Sequence, residues 1–352
     1  MRYRVLGGTG IEVSAYCLGT MMFGYIGNPD HEDCARIIHS ALDRGVNFVD
    51  TADMYSGGES EEIVGKALKG RREDVVLATK VHFGVGEGPL SEAPNRRGNS
   101  RRWIVAEVEN SLRRLGTDWI DLYQIHRPDP TTDIEETLSA LTDLQRQGKI
   151  RAFGSSTFPA DLMVEAQAVS DRRALGRFRS EQPPYSILNR GIESAVLPTA
   201  QKYGMGTLVW SPLAFGFLTG KYRKGQAVDL ADGRAAIRPS RFDPSLPENA
   251  AKYDAVEELV VLAEELGCTL PQLAIAFTQA HPGVTSTILG PRTMEQLDGL
   301  LAGAGLVLDD AVLDRIDAIV APGKNLWDTD WPRPALTDPR LRRRHVEERT
   351  AG

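Results

Sequence analysis

The sequence predicts a closed (β/α)8 barrel, and three observations predict it. Short β-rich runs alternate with amphipathic helical patterns, which is typical of a parallel sheet. Most of these runs end about thirty residues apart, which is the length of one strand–helix unit. Eight such runs follow one another, and no Gly-rich fingerprint follows the first of them. An open, doubly wound sheet is the alternative, and eight units in series favour the barrel.

The predicted elements begin with a small hairpin over residues 3–15. Gly7-Gly8 and Thr9-Gly10 would supply its turn, and the hairpin would close the bottom of the barrel. Eight strands are predicted after it. Their ends are placed at or near Gly19, Asp50, Lys80, His126, Ser155, Gln182, Trp210 and Gly290.

Helices are predicted between the strands, because apolar residues recur there at helical spacing. One apolar face comprises Ile104, Val105, Val108, Leu112 and Leu115, and another comprises Ile134, Leu138, Leu141 and Leu144. The helical patterns stop at glycines, as expected where the left-handed position after a helix favours a residue without a Cβ. These glycines are Gly45, Gly70, Gly116, Gly148, Gly204 and Gly267.

Two steps between strands are longer than the others, at residues 81–100 and 215–250. Loops of that length are usually functional, so both are predicted to form walls or lids at the C-terminal mouth of the barrel. After residue 305, the sequence predicts one more helix and a tail with proline and tryptophan. No linker interrupts the chain, which predicts a single domain over residues 1–352. Its parts are the hairpin at 3–15, the barrel at 16–305, and the C-terminal helix and tail at 306–352.

Composition and charge narrow the class of protein. The 352 residues are 41% hydrophobic and 25% charged, so the chain can bury a large core. Its 41 basic and 48 acidic residues give a net charge of −7, and nucleic acid is therefore not a predicted partner. The chain has three cysteines, far apart and without metal-ligand spacing, which predicts neither a disulfide framework nor a metal site.

No apolar stretch has the length that a membrane span requires, and the N-terminus lacks the apolar core of a signal peptide. These features predict a cytoplasmic protein that does not contact a membrane. Whether the chain forms a homo-oligomer is left open by the sequence.

Ionisable residues end three successive strands of the predicted barrel. Asp50, Lys80 and His126 lie at these ends, and Tyr55 lies in the loop after the first of them. Catalytic groups of such barrels come from the C-terminal ends of the strands. A partly buried lysine needs a partner carboxylate, and Asp50 on the neighbouring strand would supply one.

The four residue types together suit one kind of chemistry. A lysine ammonium beside Tyr55 would favour the tyrosinate, which makes Tyr55 usable as a general acid. His126 could donate a hydrogen bond to a substrate oxygen. Singly, each residue has an ordinary structural role available, such as a helix cap or a core histidine. Together at consecutive strand ends, they predict a site that protonates a carbonyl oxygen. Met22, Phe23, Tyr25, His82 and Phe83 follow strand ends and are predicted to face its pocket.

Five segments in order resemble the signature blocks of the aldo-keto reductases, in particular those of the bacterial and potassium-channel β-subunit-like branch. They are "GVNFVDTADMYSGGESEEIVGKAL", "VVLATKV", "SLRRLGTDWIDLYQIHRPDP", "GKIRAFGSST" and "WSPLAFGFLTGKY". The resemblance covers residues 3–319 and implies a catalytic tetrad of Asp50, Tyr55, Lys80 and His126. It also implies that hydride from a reduced nicotinamide attacks an aldehyde or ketone, reversibly, while Tyr55 delivers the proton.

The resemblance further implies which residues hold the cofactor. The nicotinamide end would be held by Ser156, Thr157, Gln182 and Trp210, with the indole stacked on the nicotinamide ring. The pyrophosphate would be held by Ser211, Pro212, Leu213, Gly216, Leu218 and Lys221. The adenosine end would be held by Gly290, Arg292 and Gln296 at the start of a helix.

Arg292 matches the ligand of a 2′-phosphate, which implies NADPH (or NADP in the oxidised state) as the cofactor. Three positions depart from the family pattern. Thr157 stands where asparagine is usual, and Gly299 and Leu300 stand where an acidic residue and an asparagine are common. The last two departures leave NADH open as a second cofactor.

Two other functions are compatible with such a barrel. One is a regulatory protein that keeps the fold and the cofactor but acts by contacting a partner, as the potassium-channel β subunits suggest. The other is an unrelated barrel enzyme such as a phosphosugar isomerase, which would also place a lysine and a histidine at strand ends. The Asp50/Tyr55 pair fits the isomerase poorly, and the complete tetrad favours catalysis on a small carbonyl substrate.

Overall fold

The computed structural model describes residues 1–86, 93–230 and 233–327. Eight parallel strands form a closed barrel, as predicted, and they pair in chain order until the last strand pairs with the first. Each strand ends within one residue of its predicted end. An antiparallel hairpin comprises β1 (Tyr3–Val5) and β2 (Glu12–Ser14), and the barrel comprises β3 (Tyr16–Gly19), β4 (Phe48–Asp50), β5 (Val76–Val81), β6 (Ile120–Ile125), β7 (Ile150–Ser156), β8 (Ser180–Gln182), β9 (Gly206–Val209) and β10 (Ser286–Leu289).

The hairpin closes the N-terminal end of the barrel, as predicted. Leu6 and Val13 are fully buried and belong to the same apolar cluster as the barrel interior. Gly7 in the turn has a φ of +48°, and a Cβ there would lie 1.8 Å from the backbone oxygen of Arg179. Only glycine therefore allows the turn to approach the barrel this closely.

Helices surround the barrel in the order that the sequence predicts. They are α1 (His31–Asp43), α2 (Glu59–Ala67), α3 (Arg101–Leu115), α4 (Ile134–Arg146), α5 (Ala160–Arg173), α6 (Val196–Lys202), α7 (Gly233–Ile237), α8 (Ala250–Glu265), α9 (Leu270–Ala280), α10 (Met294–Ala302) and α11 (Asp310–Ile319). The six predicted stop glycines all have positive φ. The predicted face of α3 needs one correction, because Val105 is exposed while Ile104 and Val108 are buried. Adjacent residues lie about 100° apart around a helix, and Val105 falls outside the buried stripe that contains Ile104 and Val108.

The segment 215–250 is not a structureless loop. It contains α7 and short 3-10 helices at Ala214–Thr219, Pro239–Arg241 and Pro247–Asn249. The predicted C-terminal helix is α11, whereas the predicted tail from residue 328 onward lies outside the described residues.

Within the described ranges, no single helix is long and apolar enough to cross a membrane. One pair of segments, Pro247–Glu265 and Leu270–Ala280, reaches the required length and composition only when taken together. The two are bent by 92° relative to each other.

The interior of the barrel is built in layers. One apolar layer comprises Cys17, Phe48, Ala78, Leu122, Ala152, Leu208 and Ile288. Because side chains alternate between the two faces of a strand, the residues two positions further on share the interior face. This next layer comprises Gly19, Asp50, Lys80, Gln124, Gly154, Gln182, Trp210 and Gly290. This layer therefore places a group of polar side chains at the C-terminal mouth of the barrel.

Candidate active site

Asp50 and Lys80 form a buried ion pair between β4 and β5. Lys80 Nζ donates to Asp50 Oδ1 at 2.5 Å and to the backbone oxygen of Thr51 at 2.8 Å. Neither side chain is more than 3% exposed. Burial alone would lower the pKa of the Lys80 ammonium, but the Asp50 carboxylate beside it raises the pKa above its ordinary value. Lys80 therefore stays charged.

Tyr55 lies against this pair. It opens a short 3-10 turn, Tyr55–Gly58, that follows β4. Its hydroxyl is 3.4 Å from Lys80 Nζ, which also lies 5.0 Å from the centre of the phenol ring. A cation at this distance stabilises negative charge on the phenol oxygen. The structure thus brings together three of the residues that the sequence singles out.

His126 is the fourth member of the group. Its ring packs edge-on against Tyr55 at 5.9 Å and against Phe83 at 5.2 Å. Burial lowers the pKa of the His126 imidazole well below its usual value, and the charges of Lys80 and Arg127 lower it further. The ring is therefore neutral near pH 7 and can donate one hydrogen bond. Its Nδ1 is buried and has no hydrogen-bond partner in the described part of the chain.

Phe23, which the sequence predicts to face the pocket, is instead fully buried in the core outside the barrel. Phe83, in contrast, reaches the site as predicted, through its contact with the His126 ring.

Two glutamine amides hold the second oxygen of Asp50. Gln124 Nε2 donates to Asp50 Oδ2 at 3.0 Å, and Gln182 Nε2 donates to the same oxygen at 2.9 Å. Gln182 Nε2 also donates to Gln124 Oε1 at 3.1 Å. Gln124 is not among the residues predicted from the sequence. The available signal was its position between Leu122 and His126 on the interior face of β6.

The predicted nicotinamide residues lie side by side at the ends of β7, β8 and β9. Ser156 Oγ and Trp210 Nε1 both donate to the backbone oxygen of Gln182, at 2.9 and 3.2 Å. These bonds fix the orientation of the indole, which is only partly buried. Thr157 follows with a φ of +61°, an unfavourable conformation for a β-branched residue.

A buried carboxyl group, that of Glu181, accepts hydrogen bonds from residues next to this group. Glu181 on β8 is 0% exposed and accepts hydrogen bonds from Ser155 Oγ and from the backbone N–H of Phe158 at 3.0 Å. Burial raises the pKa of Glu181 to about 7. Glu181 is not among the residues predicted from the sequence.

The predicted pyrophosphate segment continues from Trp210 as a tight series of turns. Ser211, Ala214, Phe215 and Gly216 all have positive φ, and Ser211 Oγ accepts from the N–H of Phe215 at 2.9 Å. The N–H groups of Ala214 and Gly216 donate to the backbone oxygens of Ser211 and Leu213, both at 2.9 Å, so they are engaged within the segment. The side chain of Leu218 is fully buried, and its N–H donates to the backbone oxygen of Leu213 at 3.1 Å.

Further along the same segment, Pro212 is buried and Leu213 is partly buried. Lys221 is exposed, and its Nζ lies 4.9 Å from the centre of the Tyr222 ring.

The predicted adenosine end lies where α10 begins. Gly290 and Arg292 are both exposed, and the N–H of Arg292 donates to Gln296 Oε1 at 2.8 Å. Gln296 is therefore engaged in capping its own helix. Gly299 is exposed with open space around it, whereas Leu300 packs on the cluster that contains Tyr16 and Leu289.

No group of histidine, cysteine and carboxylate side chains within residues 1–86, 93–230 and 233–327 could hold a metal ion. The three cysteines are free thiols.

The fold and the geometry at its mouth define a class: a (β/α)8-barrel protein with a buried Asp–Lys pair, a phenol and a neutral imidazole grouped at the C-terminal ends of the strands. The model of the Aldo/keto reductase family matches residues 15–321. The chain belongs to the aldo/keto reductase family. Membership implies an oxidoreductase that reduces small carbonyl compounds with a nicotinamide cofactor, NADH or NADPH.

Similar proteins come from bacteria and plants. The chain is 39% identical to the uncharacterized oxidoreductase YrpG of Bacillus subtilis (strain 168), over 92% of this chain and 97% of that protein. It is 37% identical to the aldo-keto reductase YhdN of the same organism, over 91% and 94%. It is also 37% identical to a protein of Oryza sativa subsp. japonica named probable voltage-gated potassium channel subunit beta, over 91% and 97%.

Proposed function

We propose that the chain reduces an aldehyde or ketone to the alcohol with NADPH, reversibly, and that Tyr55 is the proton donor. The observation that carries this proposal is the position of Lys80. Its Nζ lies 3.4 Å from the Tyr55 hydroxyl while Asp50 Oδ1 holds it at 2.5 Å. An ammonium at this distance stabilises the negative charge that develops on the phenol oxygen as the proton is transferred.

Each member of the tetrad has a distinct role in the proposed reaction. Tyr55 donates its hydroxyl proton to the carbonyl oxygen, and Lys80 stabilises the phenolate that remains. Asp50 keeps Lys80 charged in a site without solvent. The neutral His126 ring donates a hydrogen bond to the same carbonyl oxygen and so helps to polarise it. In the reverse direction the phenolate accepts the proton of the alcohol.

Features of the cofactor region fit a nicotinamide dinucleotide. Trp210 presents a partly exposed indole whose Nε1 is fixed on Gln182, which suits a stacking platform. The tight turns between Ser211 and Gly216 follow directly after Trp210, and Lys221 a few residues further on supplies an exposed cation for the pyrophosphate. When bound, the dinucleotide would supply the hydride, and the protein would supply binding and orientation.

The preference for NADPH over NADH is assigned to Arg292. Its side chain is exposed at the start of α10, where a planar guanidinium could bind a 2′-phosphate. Gly299 offers no side chain to the adenosine, and Leu300 faces the core cluster. Weak adenosine contacts would let the enzyme accept NADH as well.

The first experiment is a titration of the intrinsic tryptophan fluorescence with NADPH and, separately, with NADH. We expect saturable quenching by NADPH that is largely lost in Trp210→Phe and retained in Trp119→Phe, whose indole lies under Arg72 and Arg151 away from the mouth. A screen of aldehydes and ketones, followed at 340 nm, then tests the reaction. Absence of any response to either nucleotide would contradict the proposal.

A second candidate function is regulation of a partner protein, because a similar rice protein is named as a channel subunit. Such a protein would bind NADPH and reduce carbonyl substrates only slowly. The two candidates are separated by the rate of the best substrate: reduction by wild type that is no faster than that by Tyr55→Phe would favour the regulatory function.

A further inference from the structure

Gln124 is a polar residue at the barrel mouth that has no role in the proposed reaction. Its side chain is 0% exposed on the interior face of β6, one layer above the apolar cluster that contains Leu122. A buried amide is costly unless its donors and acceptor are satisfied. Gln124 donates to Asp50 Oδ2 at 3.0 Å and accepts from Gln182 Nε2 at 3.1 Å. Both ends of the amide are therefore bound to members of the site.

These bonds leave Asp50 little freedom to rotate. Oδ1 is bound to Lys80, and Oδ2 accepts from Gln124 and Gln182. A rotation that kept Lys80 in contact would leave an amide N–H buried without a partner, which is unfavourable. The two amides thus fix the direction in which Asp50 holds the ammonium.

The amides also reduce the effective charge of Asp50. Two N–H dipoles directed at one carboxylate oxygen weaken the negative potential that Asp50 exerts beyond Lys80. The groups that face Asp50 are Lys80, the two glutamines and the thiol of Cys17 on β3, and burial raises the pKa of that thiol, so it is neutral. The charged and titratable groups that face Tyr55 are Lys80, His126 and Arg127.

Gly154 lies in the same layer on β7, between Gln124 and Gln182 on the neighbouring strands. A Cβ there would lie 2.1 Å from Ser180 Oγ, so the position between the two glutamines has no room for a side chain.

We propose that Gln124 is a positioning residue of the reductase, which acts on the proton donor Tyr55 through Asp50 and Lys80. The proposal rests on the proposed function. Gln124 holds Asp50 Oδ2 so that Oδ1 stays hydrogen-bonded to Lys80. It also weakens the negative potential of the carboxylate, which would otherwise cancel more of the positive charge of Lys80. Lys80 then remains an effective stabiliser of the Tyr55 phenolate.

The test compares Gln124→Met with a matched control, Gln167→Met. Gln167 is also buried and donates to a backbone oxygen, that of Phe178, but it lies on α5 away from the mouth. In Gln124→Met we expect kcat for carbonyl reduction to fall on the order of tenfold, as for a misplaced catalytic group. We expect the dissociation constant of NADPH to stay within about threefold, because most predicted contacts with the dinucleotide lie elsewhere.

The pH profile separates positioning from a general loss of packing. Without Gln124 the Asp50 carboxylate is no longer held by two amides, so the charge balance between Asp50 and Lys80 changes and we expect the alkaline limb of the reduction profile to move. Gln167→Met should leave that limb unchanged. An unchanged kcat and profile in Gln124→Met, or equal changes in the two variants, would overturn the proposal.

A second variant, Gln124→Glu, keeps the size of the side chain. At acidic pH its carboxyl is protonated and can still donate to Asp50 Oδ2, whereas at alkaline pH it is ionised and repels that oxygen. Its activity relative to wild type should therefore recover as the pH falls. A constant ratio across the pH range would contradict the positioning role. Failure of the wild type to reduce any carbonyl or to bind NADPH would instead overturn the proposed function, and this proposal with it.

Discussion

Lys80 Nζ lies 2.5 Å from Asp50 Oδ1, and both side chains are closed off from solvent at the centre of the barrel mouth. Removing two charges from water is costly, and the cost is recovered only when each charge is paired and its remaining hydrogen-bonding groups are satisfied. Here the backbone oxygen of Thr51 and the two glutamine amides complete the pair. Both charges are therefore paired and hydrogen-bonded where they are buried.

Lys80→Met is expected to destabilise the fold by about 3–5 kcal/mol, because it leaves the Asp50 carboxylate buried without its partner. It should also abolish carbonyl reduction. The double variant Asp50→Asn/Lys80→Met should be less destabilised than the sum of the single variants, since no charge is then left unpaired. Chemical denaturation curves provide the measurement.

The control for this prediction is Lys149→Met, which removes an ion pair with Glu109 at the surface. Such pairs contribute about 0–1 kcal/mol. Equal losses in the free energy of unfolding for Lys80→Met and Lys149→Met would mean that burial of the Asp50–Lys80 pair adds nothing to the cost of breaking it.

Tyr55→Phe is expected to reduce the carbonyl reduction rate by on the order of 10²–10⁴-fold, since only the proton donor is removed. The affinity for NADPH, measured by tryptophan fluorescence, should be nearly unchanged. Tyr3→Phe is the control, because the Tyr3 hydroxyl donates to Gly45 O in the hairpin region at the opposite end of the barrel. Substantial turnover by Tyr55→Phe would exclude Tyr55 as the donor.

The fold could be predicted closely because its signals are local. Strand ends follow from short apolar runs and were placed within one residue. Helix ends follow from glycines that adopt positive φ, and these glycines lie one to three residues after the last helical residue. The segment 215–250 was not predicted as helical, because one-turn helices are too short to show a period. Phe23 was misplaced because a position after a strand end does not specify which way the side chain turns.

The tetrad could be predicted because Asp50, Lys80 and His126 end consecutive strands. Gln124 and Glu181 could not, since their importance depends on what surrounds them in three dimensions. Gln124 is defined by two partners on other strands, and Glu181 by the depth of its burial beneath the loop at Ser156. Neither property is a feature of the residue's own neighbourhood in the sequence.

Arg292→Ala is expected to weaken NADPH binding on the order of tenfold and to leave NADH binding almost unchanged. The reason is the loss of a charge-assisted contact worth about 1.5–3 kcal/mol with a phosphate that NADH lacks. Fluorescence titrations with both nucleotides measure the difference. Arg36→Ala is a suitable control, since Arg36 on neighbouring α1 is 71% exposed and paired with Asp33. Equal weakening of NADPH and NADH binding would mean that Arg292 does not bind the 2′-phosphate.

Glu181→Gln is expected to change how stability depends on pH. Burial raises the pKa of Glu181 from 4.5 to about 7, so the folded protein keeps a proton that the unfolded chain has already released. This contribution to stability is fully present below pH 4.5 and is lost as the pH rises through 7. Relative to wild type, Glu181→Gln should gain about 3 kcal/mol between pH 4.5 and pH 8.

Denaturation of both proteins across that pH range measures the gain, and the difference between the two curves cancels the contributions of other titrating groups. Glu109→Gln, at a partly exposed position paired with Lys149, should show no such trend. A difference that stays flat from pH 4.5 to pH 8 would mean that Glu181 ionises normally in the folded protein.

Thr157→Asn is expected to stabilise the protein by about 1 kcal/mol. Thr157 has a φ of +61°, a conformation that asparagine tolerates and a β-branched side chain does not. Asparagine is also the residue that the family resemblance places there, and its amide oxygen could still accept the bond that Arg127 Nη1 now donates to Thr157 Oγ1 at 3.1 Å.

The melting temperature reports the effect, with Thr199→Asn as the control, because Thr199 lies in the helix α6 and gains nothing from asparagine. A melting temperature for Thr157→Asn that does not exceed that of wild type would show that the strain is relieved in another way. If the melting temperature rises and NADPH also binds more tightly, the unfavourable φ of Thr157 lowers both the stability of the fold and the affinity for the cofactor.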